Sequence, residues 1–191
     1  MKLLHIDSSI AGPGSVTRAL AAAIVAPWRD CPEGTEILYR DLDAAPVAHL
    51  RSRAAPAAAD GEAERILQEF LDADVVVLGA PMYNFGIPST LKAWIDRIAV
   101  AGRTFRYTSD GPEGLAGNKR VIVAIGSGGL HAGRPEDFVE PYLRQVFGFL
   151  GVTDLAFVRA EGVALSAQHR EQAMARALGE IPAPGPLRLA A

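Results

Sequence analysis

Cysteine is almost absent. Cys31 is the single one in 191 residues. That excludes an internal disulfide framework and a cysteine-based metal site. There is no block of basic residues, and the net charge is −3. Nucleic acid is therefore not an expected partner, because phosphate neutralisation needs clustered Lys and Arg. No apolar run approaches the length of a membrane span. Met1-Lys2 leads at once into a short strand broken by Asp7, too short for a signal-peptide core. The expectation is a cytoplasmic protein with no membrane partner. A hydrophobic fraction of 49% against 21% charged residues is ordinary for a soluble α/β protein. One domain over residues 1–181 is expected, with 182–191, rich in Pro and Ala, fraying as a tail.

What is present is a repeating alternation of apolar strands and amphipathic helices. Strands are read at Lys2–Ile6, Glu36–Arg40, Val75–Leu78, Arg120–Ile125 and Asp154–Arg159. Helices are read at Val16–Arg29, Ala57–Asp72, Pro88–Ile98, Asp137–Leu150 and Gln168–Leu178. Val75-Val76-Val77-Leu78 is apolar on both faces, as a central parallel strand is, and Gly79 is read as its end. Leu91, Trp94, Ile95 and Ile98 form one buried helix face. Arg103–Thr108, a turn at Ser109–Pro112 and a return over Leu115–Asn118 read as a hairpin outside the repeat. Five strands alternating with helices imply a parallel sheet with right-handed crossovers.

The informative residues lie after strands one, three and four. In the order 2-1-3-4-5 those strand ends are neighbours, and their loops converge on one crevice at the carboxyl edge of the sheet. The first loop carries Ser8, Ser9, Ser15 and Thr17 and ends on a helix N-terminus capped by Ser15. Amides and hydroxyls there suit a single phosphate. No Gly-Lys-Ser/Thr follows, and Thr17 stands where a dinucleotide fingerprint needs its third glycine. Plain helix capping is the competing reading. The second loop is Pro81-Met82-Tyr83-Asn84-Phe85-Gly86, whose aromatics read equally as core. The third is Gly126-Ser127-Gly128-Gly129, either a simple turn or a bare backbone that lets a ligand edge approach. A flat heterocycle bearing one phosphate accounts for all three loops together.

Three stretches carry a resemblance: APMYNFGIPSTLKAWIDRIAVAGRTFRYTSDGPEGL, VIVAIGSGGLHAG and FGFLGVTDLAFVRAEG. With LLHIDSSI and Arg40–Leu42, they resemble the FMN-dependent NADH-azoreductases of the flavodoxin-like quinone reductase superfamily. The resemblance implies a flavodoxin-like three-layer sandwich around a five-stranded parallel sheet in order 2-1-3-4-5. It implies a homodimer binding FMN, with NADH, or NADPH, as electron donor. The implied reaction reduces quinones to hydroquinones and azo compounds to aromatic amines by ping-pong hydride transfer. By resemblance Ser9, Ser15, Val16 and Thr17 hold the phosphate and ribityl end. Met82, Tyr83, Asn84 and Phe85, with Gly126, Ser127, Gly128 and Gly129, line the isoalloxazine. Tyr107 and Phe149 match positions that wall the substrate slot, an arrangement a dimer can complete from the other subunit. His131 either orients or protonates substrate or is a loop histidine bonded to backbone. No catalytic side chain and no metal are implied, because the chemistry is the flavin's. A non-enzymatic flavodoxin-like FMN electron carrier is the alternative.

The chain departs from the family in two places. Residues 42–74 are fewer than usual, with Arg51 and Arg53 the candidates for a nicotinamide contact. Gly126-Ser127-Gly128-Gly129 stands where relatives carry Ser-Arg-Gly-Gly or a similar bulky residue.

Overall fold

The computed structural model describes residues 1–31, 34–50 and 61–185. Five strands, β1 (Lys2–Asp7), β2 (Glu36–Asp41), β3 (Val75–Pro81), β6 (Arg120–Ser127) and β7 (Asp154–Glu161), form one parallel sheet. Its order is β2-β1-β3-β6-β7. Two further strands, β4 (Phe105–Thr108) and β5 (Gly111–Gly114), pair only with each other. With that hairpin set aside, the sheet has the expected order 2-1-3-4-5. The helices are α1 (Val16–Arg29), α2 (Gly61–Asp72), α3 (Ser89–Ile98), α4 (Glu140–Phe149) and α5 (Ala167–Gly179).

The apolar run of β3 has a direct explanation. Successive strand residues point to opposite sheet faces, and both faces are covered. Val76 and Leu78 join Phe70 of α2, Trp94 of α3 and Phe147 of α4 in one cluster. Val75 and Val77 join Leu20, Ile24 and Trp28 of α1, with Ala173 and Ala177 of α5, in another. Trp94 is fully buried, with its ring edge-on to Phe70. It is a core residue, as its helical spacing implies.

Several boundaries differ from the sequence reading. Gly79 does not end β3, which runs on to Pro81. A Cβ at Gly79 would lie 2.8 Å from Asp7 Oδ1 on the neighbouring strand, so the glycine serves close strand packing rather than termination. β6 and β7 likewise run two residues further than expected. Pro88 is the N-cap of α3, not its first turn. Asp137 stands ahead of α4, its carboxylate accepting from the Val139 and Glu140 amides. The hairpin returns over Gly111–Gly114, not Leu115–Asn118, because Thr108 pairs with Gly111 across a two-residue turn at Ser109-Asp110. The Thr108 hydroxyl locks that turn by donating to the Gly111 carbonyl (2.8 Å). The expected start of α2 at Ala57, Arg51 and Arg53, and most of the tail lie outside the described residues.

Candidate functional site

The loop after β1 is held by its own polar side chains. Ser8 Oγ donates to the Gly79 carbonyl (2.6 Å), tying the loop to β3. Gly12–Gly14 form one 3-10 turn. Ser15 Oγ then caps α1 by accepting from the Arg18 amide (3.2 Å) and lies 3.1 Å from Thr17 Oγ1. Val16 and Thr17 open α1, where amides have no carbonyl four residues back. Those amides and the helix dipole make an anion site.

Arg18 braces this loop from behind. Its Nε and Nη2 donate to the Ser9 carbonyl (3.2 and 2.8 Å), and its two terminal nitrogens clasp Asp41 at the end of β2 (2.6 and 2.8 Å). The Arg18 guanidinium holds the Asp41 carboxyl down at about 2, with the Ala44 and Asp43 amides assisting. Sequence reasoning missed Arg18. Its only signal is a charged side chain one turn into an otherwise apolar helix.

The loop after β3 is a tight turn. Tyr83 and Gly86 exchange backbone hydrogen bonds (2.9 and 3.0 Å) around Asn84 and Phe85. Both central residues have positive φ, +49° and +70°, as a type I′ turn requires. Asn tolerates that conformation; an aromatic is an outlier there. The Phe85 side chain is nonetheless half exposed. Backbone strain that presents an aromatic to solvent is a functional signature rather than a packing one.

The three loops meet. Tyr83 Oη accepts from the Ile10 amide (3.1 Å) and lies 3.2 Å from Ser9 Oγ. The Met82 amide donates to the Gly126 carbonyl (2.8 Å). The Phe85 ring stands edge-on to His131 (5.8 Å), and its carbonyl accepts from the Phe138 amide (3.3 Å).

Beyond β6 the backbone has a defined polarity. The carbonyls of Ser127, Gly128 and Gly129 accept from the Val163, Ala164 and Gly162 amides beyond β7. In a trans peptide the N–H points opposite to the C=O. The amides of Gly128, Gly129 and Leu130 therefore face away from β7, toward the β3 loop. The Ser127 hydroxyl donates inward to the Gly129 carbonyl (2.9 Å). The His131 ring packs over Gly129, where a Cβ would lie 2.8 Å from Nε2. His131 Nδ1 is buried without a hydrogen-bond partner among the described residues.

These features fit a flavin mononucleotide: hydroxyls and first-turn amides for one phosphate, a strained aromatic turn for a ring face, outward amides for a polar ring edge. Tyr107 and Phe149 are not part of this cluster. They flank Phe105, whose ring lies 5.6 Å from Tyr107 and 4.5 Å from Phe149. The hairpin enters β6 and α4 ends before β7, so this trio sits at the amino-terminal edge of the sheet. A cleft of about 540 Å³ between α2 and strands β1 and β2 is also remote from the loops. On its rim Lys2 pairs with Asp72 (2.9 Å) and Arg65 with Glu69 (3.8 Å).

The family model described as a flavodoxin-like fold matches residues 1–183. The chain belongs to that family. It is 59% identical over 185 residues to an FMN-dependent NADH:quinone oxidoreductase of Stenotrophomonas maltophilia, covering 95% of each chain. Among solved structures, the azoreductase of Bacillus anthracis str. Sterne superposes with a TM-score of 0.84 at 26% identity, over 95% of this chain and 96% of that one. An FMN-dependent NADH-azoreductase of Bacillus anthracis str. Ames Ancestor, solved in complex with FMN, gives 0.81 at 25% identity, over 94% and 97%.

Proposed function

We propose that the protein is an FMN-dependent NADH:quinone oxidoreductase that also reduces azo compounds to amines. The observation that carries this reading is the junction of three loops: Tyr83 against Ser9, Met82 bonded to Gly126, and Phe85 against His131. The relatives' names point the same way. They favour an enzyme over an electron carrier.

Bound FMN supplies two-electron hydride chemistry. Ser9, Ser15 and the amides of Val16 and Thr17 bind its phosphate. Met82, Tyr83, Asn84 and Phe85 orient the ring. The outward amides beside Gly128 and Gly129, with Ser127 bracing them, would give fixed donors to its polar edge. Nicotinamide and acceptor use one slot in turn, which gives ping-pong kinetics. His131 borders that slot.

We also read residues 1–181 as one domain and the fold as a three-layer sandwich, supported by core clusters on both sheet faces. We place the protein in the cytoplasm; among the described residues no helix is long and apolar enough to cross a membrane. The separation of Tyr107 and Phe149 from the loops supports a homodimer in which they wall the partner's slot.

The test is direct. Purified protein reconstituted with FMN should be yellow and release FMN on denaturation. NADH should bleach it, and a quinone or azo dye should restore the colour with multiple turnovers. A colourless protein, or bleaching without acceptor turnover, sinks the proposal. The same assay with NADPH decides the donor.

A further inference from the structure

We infer that Glu161 is the positioning residue of the glycine loop, and that Arg159 holds Glu161 in place. This rests on the flavin reading above. A loop of bare glycines has wide conformational freedom, so outward amides are useful only if something fixes them. Glu161 ends β7 with a largely buried side chain. One oxygen, Oε1, accepts from the His131 and Ala132 amides, both at 2.8 Å. The Ser127 hydroxyl approaches the same oxygen at 3.4 Å. Amide bonds to a carboxylate are shorter and stronger than neutral ones. The carboxylate thus pins the end of the loop after the glycines, His131–Ala132, and lies beside the Ser127 hydroxyl, which itself donates to the Gly129 carbonyl.

Arg159 lies two residues earlier on the same strand face. Its Nη1 is 3.4 Å from Glu161 Oε1, and its Nη2 reaches Asp137 Oδ2 (2.9 Å) and Glu140 Oε2 (2.6 Å). Asp137 in turn bonds the amides that start α4. The carboxylate therefore stands on a chain running from the loop to the base of α4. Just beyond Glu161, the Gly162, Val163 and Ala164 amides take the glycine-loop carbonyls, which turns the opposite N–H groups into the crevice. Glu161 makes no proposed contact with flavin; it acts through the loop.

Two substitutions separate position from charge. Glu161→Asp keeps the charge but withdraws the carboxylate by one methylene. Glu161→Gln keeps an oxygen acceptor at the same reach and removes the charge. Apo-protein is titrated anaerobically with oxidised and with reduced FMN. E161D should lose affinity for reduced FMN about tenfold more than for oxidised FMN, a midpoint about 30 mV lower for a two-electron couple. E161Q, which keeps the reach but loses the charge that strengthens these bonds, should fall between wild type and E161D. A merely structural role weakens both redox forms equally. E161D matching wild type in that ratio, or E161Q impaired as much as E161D, overturns the inference. Amide exchange in the apo-proteins gives a flavin-independent arm, where His131 and Ala132 should exchange faster in E161D than in wild type or E161Q; unchanged exchange overturns the brace. Wild-type protein that takes up no FMN defeats the flavin reading instead, and the exchange arm still decides the brace.

Discussion

Phe85 carries a backbone conformation that ordinary side chains avoid, with φ at +70°. A single left-handed non-glycine residue costs about 1–2 kcal/mol. Phe85→Gly relieves that strain but adds roughly 0.5–1 kcal/mol of unfolded-state entropy, so apo-protein stability in urea melts should equal wild type or exceed it by up to about 1 kcal/mol. It should at the same time weaken FMN retention and slow NADH:quinone turnover. A variant that is less stable than wild type would show the turn is not strained. Arg18 and Asp41 give a second residue-scale prediction. Asp41 is held at about 2 against an ordinary 3.8. A depressed carboxyl contributes stability that is complete above its unfolded pKa and is lost as pH falls through the folded one. The window here is about pH 4 down to pH 2, and the size is about 2 kcal/mol. Asp41→Asn should cost that much near pH 7, and its gap from wild type should close as pH approaches 2. A gap that persists in acid would mean the loss is not the ion pair. The loop holding Asn84 and Phe85 was legible as the end of a central strand, but the positive φ of both residues was not. Arg18 and Glu161 were not legible, because their partners lie 23 and 30 residues away.

At the scale of elements, β3 and its neighbours show how glycine is used here. Gly79↔Ala124 is an ordinary ladder pair, yet the glycine cannot be replaced freely. Gly79→Ala would push a methyl to 2.8 Å from Asp7 Oδ1. Overpacking of this kind costs about 1–3 kcal/mol. The Ser8–Gly79 bond would shift with it, so FMN affinity should fall together with the thermal midpoint. Wild-type stability in G79A would show that β1 and β3 can move apart freely. Strand and helix identities were legible from apolar periodicity, which needs only local sequence. Strand ends were not, because β3, β6 and β7 run on for as long as each finds a partner. The hairpin register was misread for a related reason: the Thr108 hydroxyl closes the turn after Ser109-Asp110, so the return starts at Gly111 rather than Leu115.

On the scale of the whole molecule, the two candidate walls of the slot lie at opposite edges of one sheet. The three loops stand at the carboxyl edge, and Tyr107, Phe105 and Phe149 at the amino edge. A second copy would bring the two together. Sedimentation should find a dimer at assay concentrations. Tyr107→Ala should raise the KM for quinone severalfold while leaving FMN affinity at the wild-type value. A fully active monomer would remove the dimer from the proposal, and loss of FMN in Y107A would place the tyrosine at the cofactor instead.

The amino-acid pattern alone determined the class of fold, the sheet order and the three loops, because strand period, helix period and switch-point topology are written locally or follow from connection rules. Tertiary structure decided the rest. It joined Ser9 to Tyr83, turned the glycine-loop amides toward the crevice, strained Phe85 and set Arg18 and Glu161 behind the loops. It also moved Tyr107 and Phe149 to the far edge. Each of these depends on contacts between residues distant in the chain, where side-chain reach, burial and backbone direction act together and no local pattern records them.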